Sequence, residues 1–383
     1  MKSEWTKVSL LSVCSRLSSG KSISSKLLKE KGVIPVYGGN GVRGYIEEGE
    51  NFNGECAIIG RQGAYCGNVR FFSGKAYMTE HAIVAQANAC ADTRFLAYKL
   101  SLMQLGRLSG QSAQPGLSVK VLGEQVIDIP PLPIQRKIAS ILSALDDKIE
   151  TNNAICRNLE EQIKLIFKDT YASKVKDSSA RIEDVTLADV CSEITKGTTP
   201  STLGYRFENV GVNFVKAESI TNSHRIENNK ISFISLETHN KLKRSQVEDG
   251  DILFSIAGTL GRFTIADTHI LPANTNQAVA IIRANKEKVA PEYLYSLFIA
   301  GWHEEYCKKN VQQAVQANLS LGIIKSLPIF LLLGQEMKNY LSKITPLITT
   351  MKKLERESSS LAYLRDALLP KLMSGELEVE TLV

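Results

Sequence analysis

No stretch of this sequence approaches the roughly 18 uninterrupted apolar residues that a membrane-spanning helix needs. The first residues, MKSEWTKVSL, lack the long apolar core of a secretory signal peptide. We therefore expect a cytosolic (cytoplasmic) protein that does not contact a membrane. The chain has 383 residues, of which 43% are hydrophobic and 22% charged, and these values are typical of a folded protein with about two or three domains.

Cysteine is present but is not arranged for metal or disulfide chemistry. The seven cysteines are scattered and include no C-x-x-C pair: Cys14, Cys56, Cys66, Cys90, Cys156, Cys191 and Cys307. In a reducing compartment such residues are typically small, mostly buried free thiols. We therefore predict neither zinc ligands nor disulfide bonds, and no metal site.

Catalytic motifs are also missing. The sequence has no N-P-P-[YFW] or D-P-P-Y methyltransferase motif, no G-x-S-x-G turn and no cluster of metal-ligating residues. The SSGKS string around Lys21 resembles the end of a phosphate-binding loop, but the glycine required five positions before Gly20 is Ser15. The second half has Lys196 followed by Gly197 and Thr198, in which the motif order is broken. We predict a chain that is not an enzyme by itself and binds no cofactor.

The net charge of +6 is modest and unevenly distributed. Residues 1–134 hold 15 basic and 10 acidic residues, a net charge of +5, and the remainder is close to neutral. Charge alone is therefore only weak support for a polyanionic partner.

A long amphipathic helix is the clearest pattern that is present. Between residues 135 and 168 the seam positions alternate in steps of four and three, as in a coiled coil: Ile138, Leu142, Leu145, Ile149, Asn152, Cys156, Leu159, Ile163 and Ile166. Asn152 is the single polar seam residue, and a buried Asn at such a position fixes register at a cost in stability. A helix of this length is about 50 Å long.

A second segment repeats the pattern near the C-terminus. From Gln335 onward its seam residues are Met337, Leu341, Ile344, Ile348 and Met351, followed after a three-residue slip by Leu354, Leu361 and Leu368. We expect Pro346 to kink the helix or end its first turns, and Pro370 and Gly375 to mark its end. Either segment alone suits a core helix or a homodimeric coil; together they favour an intramolecular antiparallel coiled coil.

The remaining sequence is a tandem repeat. VSLLSVCSRLSSGK from Val8 matches VTLADVCSEITKGT from Val185, and SAQPGLSV from Ser112 matches AVQANLSL from Ala314. Between these matches we align Thr79 with Thr275 and His81 with Gln277, which argues against His81 as a metal ligand. The string IDIPPLPIQ matches LPIFLLLGQ before the second long helix.

Each copy has the pattern of a mixed α/β domain. Short apolar runs such as CAIIG, NVRFF and AIVA, or ISFIS, ILFSIA and AVAII, predict strands, and FLAYKLSLMQL and EYLYSLFIAGWHEEY each predict a helix. We divide the chain into a globular domain at 1–134, a long helix at 135–172, a second globular domain at 173–334 and a second long helix at 335–383. Two such domains joined by an antiparallel helix pair would be pseudo-two-fold and resemble a dimer that reads two half-sites.

Polar side chains that recur in the two copies form our candidate DNA-binding set. The run YGGNGVRGY, residues 37–45, predicts a loop presenting Asn40 and Arg43, residue types that pair bidentately with adenine and guanine. A plain surface turn is an equally open interpretation. GRQGAYCGNVR from Gly60 has the counterpart SIAGTLGR, which ends at Arg262. The full set is Lys21, Tyr37, Asn40, Arg43, Arg61, Gln62, Tyr65, Arg70, Gln111, Gln114, Lys196, Arg262, Asn276, Gln277, Gln312, Gln313 and Asn318.

These features together resemble the specificity (S) subunits of type I restriction-modification systems. The resemblance covers essentially the whole chain and includes the tandem copies, IPPLPIQ before the first long helix, YGGNGVRGY and the C-terminal LRDALLPKLMSGEL. The second copy departs from it, since PIFLLLGQ lacks the doubled proline and no YGGNG run occurs there.

The resemblance implies that this chain recognises DNA and that partner subunits carry out the chemistry. Each globular domain would be a target-recognition domain that reads one part of a bipartite, asymmetric sequence in double-stranded DNA, and the helices would set the spacer. Two adenine methyltransferase (modification) subunits would bring S-adenosylmethionine, and motor-nuclease (restriction) subunits that use ATP and Mg²⁺ could join them.

Two alternatives come from other classes of protein. One is a non-catalytic coiled-coil scaffold with duplicated ligand-binding domains, which would have no affinity for DNA. The other is a stand-alone nucleotide-dependent enzyme, which Ser15 already disfavours.

Overall fold

The structure is a computed structural model that describes residues 5–109, 116–176, 183–311 and 318–379. The chain divides into a first unit, Met1–Ile149 with Leu361–Val383, and a second unit, Glu150–Ser360. Both units contain helices and sheets, so the mixed α/β class is confirmed. The domain boundaries proposed from the sequence stay a prediction. Among the described residues, no helix combines the length and the apolar character needed to cross a bilayer.

The first unit is built around a six-stranded sheet. Its elements are, in chain order, β1 (Thr6–Ser9), β2 (Cys14–Ser19), β3 (Ile34–Gly38), β4 (Gly41–Ile46), β5 (Phe52–Gly60), β6 (Val69–Met78), β7 (Ala82–Ala87), α1 (Thr93–Ser101), α2 (Val119–Gly123), β8 (Val126–Ile129) and α3 (Leu132–Lys176). The strand order is β2-β7-β5-β6-β3-β4, and β3 lies parallel to β6. The short strands β1 and β8 form a separate antiparallel pair. The predicted strands CAIIG, NVRFF and AIVA are all present in this sheet.

The second unit has two four-stranded sheets. Its elements are β9 (Glu183–Thr186), α4 (Leu187–Val190), β10 (Cys191–Lys196), β11 (Val212–Val215), β12 (Ser232–Ile234), α5 (Leu236–Lys241), β13 (Gln246–Val247), β14 (Ile252–Ser255), β15 (Phe263–Ile265), β16 (Ala273–Thr275), β17 (Val279–Ala284), α6 (Pro291–Ile299), α7 (Glu304–Val311), α8 (Leu321–Lys325), β18 (Pro328–Leu331) and α9 (Gly334–Ser374). The strand orders are β10-β17-β14-β15 and β12-β11-β16-β13, and β9 pairs with β18.

The backbone confirms the repeat. Strands β2 and β10 each begin with a cysteine, at Cys14 and Cys191, pair with β7 and β17, and are interrupted by a bulge at the same place. The glycine after each strand packs against backbone: a methyl group at Gly20 would lie 1.9 Å from the carbonyl oxygen of Met78, and one at Gly197 would lie 1.9 Å from that of Thr275. Such a contact is sterically forbidden, so both positions require glycine.

Equivalent hydrogen bonds correct our alignment of the middle of the repeat by one residue. The amide of Ala82 donates to the carbonyl oxygen of Thr79 at 3.0 Å, and the amide of Val279 donates to that of Asn276 at 3.2 Å. Thr79 is therefore equivalent to Asn276, and not to Thr275. His81 is in turn equivalent to Ala278, and not to Gln277.

The long helices α3 and α9 pack together in both units. In the first unit, Ile138 and Leu142 of α3 share a buried core with Leu372 and Met373 of α9. In the second unit, the predicted seam residues of the two helices lie in one core: Cys156, Ile163, Ile344, Ile348 and Met351. Intramolecular pairing of the two helices is therefore present, as the sequence predicted.

Asn152 lies in the seam and bonds across it. Its side chain is buried, and Nδ2 donates to Oε2 of Glu357 at 2.9 Å and to Oγ of Ser358 at 3.3 Å. Because only one alignment of the helices brings these groups together, Asn152 fixes their register in the second unit.

The second helix ends where Gly375 was predicted to mark its end, but it does not end at Pro346 or Pro370. Helix α9 continues through Pro346 and Pro370 to Ser374, and Gly375 follows with a φ of +68°. An interior proline costs a helix about 3 kcal/mol. Ile344 and Ile348 are buried on either side of Pro346, and Leu372 and Met373 are buried just after Pro370. This burial offsets the cost of the two prolines.

The predicted helix EYLYSLFIAGWHEEY is divided in two. Helix α6 ends at Ile299 and α7 begins at Glu304, with Gly301 at a φ of +77° between them. The left-handed conformation of Gly301 is incompatible with a continuous helix.

His303 is buried in the second unit, and His224 is half-buried beside the same phenylalanine ring. His303 packs against the rings of Phe254, Phe263 and Phe298, and His224 stacks on Phe263 with ring centroids 3.9 Å apart. Burial is the main cause that lowers the pKa of each imidazole from 6.5 to about 4. Both rings are therefore neutral at pH 7.

We expect Ile163→Ala to lower the free energy of unfolding by about 2–5 kcal/mol, because it leaves a cavity in a closed core. Leu165→Ala on the same helix is the matched control, and its effect should lie within about 0.5 kcal/mol because this side chain is 58% exposed. Urea unfolding followed by circular dichroism measures both. Equal losses in the two variants would contradict the packing of α3 described here.

We also expect the second unit to lose stability as the pH falls from about 6.5 to about 4. In this range the unfolded histidines bind protons that the folded ones exclude, so protonation favours unfolding, by up to about 3 kcal/mol for each histidine. His303→Phe keeps an aromatic ring and should flatten the pH dependence of the unfolding midpoint across this window. An unchanged slope in that variant would show that His303 is not the titrating group.

Candidate nucleic-acid interface

Several loops of the first unit meet at one end of its six-stranded sheet. The amide of Arg61, just after β5, donates to the carbonyl oxygen of His81, just before β7, at 2.9 Å. The turn between β3 and β4 lies against the same place, since a methyl group at Gly39 would be 3.1 Å from the carbonyl oxygen of His81. The amide of Lys21, after β2, donates to the carbonyl oxygen of Met78 at 3.0 Å. We call this end of the sheet the first candidate surface.

The run YGGNGVRGY is a β-hairpin, and not the loop that we predicted. Tyr37 belongs to β3 and Arg43 to β4, and Gly38 pairs directly with Gly41 across a turn of two residues. Gly41 has a φ of +114°, which explains the glycine at this position. Asn40 lies exposed in the turn and Arg43 lies exposed on the strand, so the hairpin still presents both side chains.

Arg70 lies beside this hairpin. A methyl group at Gly41 would be 2.6 Å from Nη1 of Arg70, so the missing side chain makes room for the guanidinium. Burial raises the pKa of Tyr37, and the positive charge of Arg70 partly opposes that rise. The Tyr37 hydroxyl therefore keeps its proton at neutral pH and can donate a hydrogen bond.

The segment after β5 carries three more predicted residues. Gln62 contacts His81, with Oε1 and Nδ1 3.0 Å apart, and Nη1 of Arg61 donates to the carbonyl oxygen of Glu80 at 3.4 Å. Tyr65 is 45% exposed. His81 thus orients Gln62 and is not part of a metal-ligand cluster among the residues that the structure describes.

The basic groups of this surface form no ion pair among the described residues, and the Glu80 carboxylate there pairs with His81 at 3.2 Å. Within the described ranges, no Asp or Glu lies within 4 Å of the charged groups of Lys21, Arg43, Arg61 or Arg70. Ion pairs occur elsewhere in the same unit, as between Lys75 and Glu50 at 3.0 Å. The charge of the first candidate surface is therefore left for an external partner.

The structure adds residues that the sequence patterns did not single out. A cleft of about 590 Å³ next to the segment after β5 is lined by Asn68, Arg70, Gln104 and Arg107, among others. Gln104 adopts a left-handed backbone with a φ of +49°, which is uncommon for a residue with a side chain. That conformation follows from the tertiary fold and has no signal in the local sequence.

The equivalent end of the second unit is also polar. Lys196 is the exposed last residue of β10, and Gln277 is exposed and contacts Thr199. Asn276 is half-buried, and its Oδ1 accepts a hydrogen bond from the amide of Ala278 at 3.3 Å, which is a structural role for its side chain. Arg244, absent from our predicted set, donates from Nη2 to Oγ1 of Thr198 at 3.1 Å.

Arg262 is held by the protein itself. Its Nη1 donates to the carbonyl oxygen of Ile220 at 2.9 Å. Its carbonyl oxygen accepts from the amide of Ser255 at 2.7 Å, as that of Asn68 accepts from the amide of Gly60 at 2.8 Å. Arg262 is therefore equivalent to Asn68, and not to Arg70 as the ends of the two runs suggested. We call the surface formed by Lys196, Arg244, Arg262 and Gln277 the second candidate surface.

The amide-rich clusters are only partly visible. Gln111, Gln114, Gln312 and Gln313 lie outside the described residues. Asn318 is exposed, and the next residue, Leu319, donates from its amide to the carbonyl oxygen of Ile256 at 2.9 Å. In the first unit the amide of Leu117 makes the equivalent bond to the carbonyl oxygen of Arg61 at 2.8 Å. In each unit the residues that follow the cluster therefore lie against the candidate surface.

Comparison with known proteins gives a consistent family assignment. The family model described as type I restriction modification DNA specificity domain matches residues 2–161 and 181–359. The two matches correspond to the two copies of the repeat and cover most of the chain.

Individual relatives carry related names. The type I restriction enzyme EcoprrI specificity subunit of Escherichia coli is 34% identical over 186 residues, which are 47% of this chain and 41% of that protein. The chain therefore spans less than half the length of this relative. A putative type I restriction enzyme specificity subunit of Haemophilus influenzae is 25% identical over 291 residues, 72% of this chain and 71% of that protein.

A solved structure has the same fold. The S subunit of a type I restriction-modification system from M. genitalium superposes with a TM-score of 0.64 and covers 96% of each chain. At 17% sequence identity the likeness concerns the fold alone.

We expect Gly41→Ala to destabilise the first unit and displace Arg70. Alanine at a φ of +114° is strained, and its methyl group would collide with the guanidinium. The loss should be about 1–3 kcal/mol by thermal unfolding, whereas Val42→Ala, at an exposed neighbouring position, should cost less than about 0.5 kcal/mol. A Gly41→Ala protein as stable as the wild type would contradict the hairpin geometry.

Proposed function

The chain belongs to the type I restriction modification DNA specificity family, whose members are recognition subunits and not catalysts, and we propose that its two units each read one part of a bipartite, asymmetric DNA sequence. One observation carries this proposal: the same backbone frame occurs twice, with different side chains at the loop end of the sheet. Asn68 has Arg262 as its counterpart, and His81 has Ala278. Two copies that differ in this way would read different bases.

The chemistry of the two candidate surfaces suits DNA. Exposed amides such as Asn40 can bond adenine edges in the major groove, and guanidinium groups such as Arg43 can bond guanine. Lys21 and Lys196 suit phosphate contacts, which position a protein without reading sequence. Lys21, Arg43, Arg61 and Arg70 form no ion pair within the described part of the first unit, and this supports the role because counterion release from DNA rewards unpaired cations.

We propose that two adenine methyltransferase subunits act as partners, and that motor-nuclease subunits join for cleavage. Large apolar side chains exposed along the long helices support docking there: Ile155, Leu165 and Tyr171 on α3, and Tyr363 and Leu364 on α9. In this proposal S-adenosylmethionine, and ATP with Mg²⁺, bind the partners and not this chain. We also propose that the complex acts in the cytoplasm, where the DNA of the cell would be accessible to it.

Mapping of methylated adenines in cells with and without the gene tests this function. We expect an asymmetric, interrupted target to lose methylation when the chain is absent. Arg43→Ala should relax the preference at one or two positions in only one part of the target, at a cost of about 1–3 kcal/mol in discrimination.

Lys75→Ala is the matched control, because Glu50 already compensates this exposed charge in the same unit. It should leave the map of methylated adenines unchanged. Methylation that persists without the gene, or a contiguous symmetric target, would exclude the proposed function.

A further inference from the structure

Residues 220–226 form a closed turn in the second unit, between β11 and β12. Ile220 and Ile226 pair as an isolated antiparallel bridge, and the amide of Thr221 donates to the carbonyl oxygen of Arg225 at 2.8 Å. His224 has a left-handed backbone with a φ of +58°. We call these residues the 220s turn. The first unit has no equivalent, because β3 and β4 are joined there by only two residues.

One side of the 220s turn holds the start of β15. The carbonyl oxygen of Ile220 accepts the hydrogen bond from Nη1 of Arg262 at 2.9 Å. The ring of His224 stacks on that of Phe263, the next residue in the strand, at a tilt of 20°. Just before the turn, the carbonyl oxygen of Ala217 accepts a bond from Oγ1 of Thr259 at 3.3 Å. The direction of the Arg262 side chain therefore depends on where the turn lies.

The other side of the 220s turn is fixed to the long helices by Arg225. The Arg225 guanidinium donates from Nη1 to Oδ1 of Asn153 on α3, and its Nε lies 3.7 Å from Oε1 of Glu355 on α9. The side chains of Arg225 and Glu355 are largely buried, with 17% and 14% of their surfaces exposed, respectively. Glu160 of α3 is also buried; burial raises the pKa of its carboxyl, and the nearby Arg225 charge partly opposes that rise.

Arg225 compensates the charge of buried carboxylates on the long helices. Lys352 pairs with Oε2 of Glu355 at 2.9 Å, so two cations and two carboxylates share this buried region. Removal of Arg225 would leave the carboxylates of Glu160 and Glu355 with one buried cation, Lys352, and the exposed Lys164, which is unfavourable for buried charges. The turn would then lose the contact that seats it on the helices.

From this geometry we propose that Arg225 is a positioning residue for DNA recognition. It fixes the 220s turn to α3 and α9, and the turn thereby holds the Arg262 side chain in the orientation that contacts a base. The proposal rests on the function proposed above. It makes recognition by the second unit, and not by the first, depend on the long helices.

The test compares methylated-adenine maps of the full chain expressed with its own modification subunits. Arg262→Ala first identifies the bases that depend on Arg262, with an expected relaxation of about five- to hundredfold at those positions. Arg225→Met should relax the same positions by at least about threefold, a smaller effect because Arg262 is still present. Positions that depend on Arg43 should not change in either variant.

Two further variants separate positioning from general stability. Arg356→Gln is the matched control, because Arg356 follows Glu355 on α9 and pairs with Asp267 at 3.2 Å, but does not touch the 220s turn. It should keep the wild-type map. Arg225→Lys keeps the charge but cannot bond Asn153 and Glu355 together, so it should fold and restore part of the preference. If Arg225→Met fails to fold, Arg225→Lys decides, with a weaker relaxation at the same positions.

The outcomes separate this proposal from the proposed function. A wild-type chain that directs no methylation refutes the function itself. Methylation that persists while Arg262→Ala changes no base preference overturns the role of Arg262 and with it the inference. An Arg225 variant that methylates with wild-type preference, or that loses preference equally at every position, shows that Arg225 does not position Arg262.

Discussion

The burial of an apolar stripe along each long helix is the constraint on which the structure depends. A helix as long as α3 leaves Ile138, Leu142 and Ile163 exposed to water unless another element covers them. Helix α9 and the globular copy supply that cover together in each unit, so the chain must return after the second copy of the repeat. Asn152 then restricts the pairing to one register, because its amide bonds Glu357 and Ser358 on the facing helix.

The repeated frame separates what is common to the two units from what differs. The common part consists of the strand pairs, the bulge after each first cysteine and the glycines Gly20 and Gly197, whose backbones approach neighbouring carbonyls too closely for any side chain. The differing part lies at the ends of these strands, where side chains do not fill the core. Recognition residues can therefore vary while the sheet stays the same.

Sequence patterns predicted much of this and failed for identifiable reasons. Seam residues and strands were predictable because their apolar spacing is the direct cause of their burial. Helix α9 continues through Pro346 because Ile344 and Ile348, on either side of it, are buried, and this packing offsets the local penalty for proline. The hairpin at Asn40, the shifted alignment at His81 and the clamp made by Arg225 depend on contacts between distant segments, which a single sequence does not display. Of the candidate DNA-binding residues, Lys21, Arg43, Arg61 and Arg70 lie in the first unit without an ion pair among the described residues.

The connection between β3 and β4 has two residues, whereas residues 216–231 join β11 to β12. The strand before each connection is held in the same way, since β3 lies parallel to β6 and β11 lies parallel to β16. The entropic penalty for closing a loop rises only slowly with its length. Insertions and deletions at this site are consequently cheap, and lineages can diversify by exchanging whole connections as well as single amino acids.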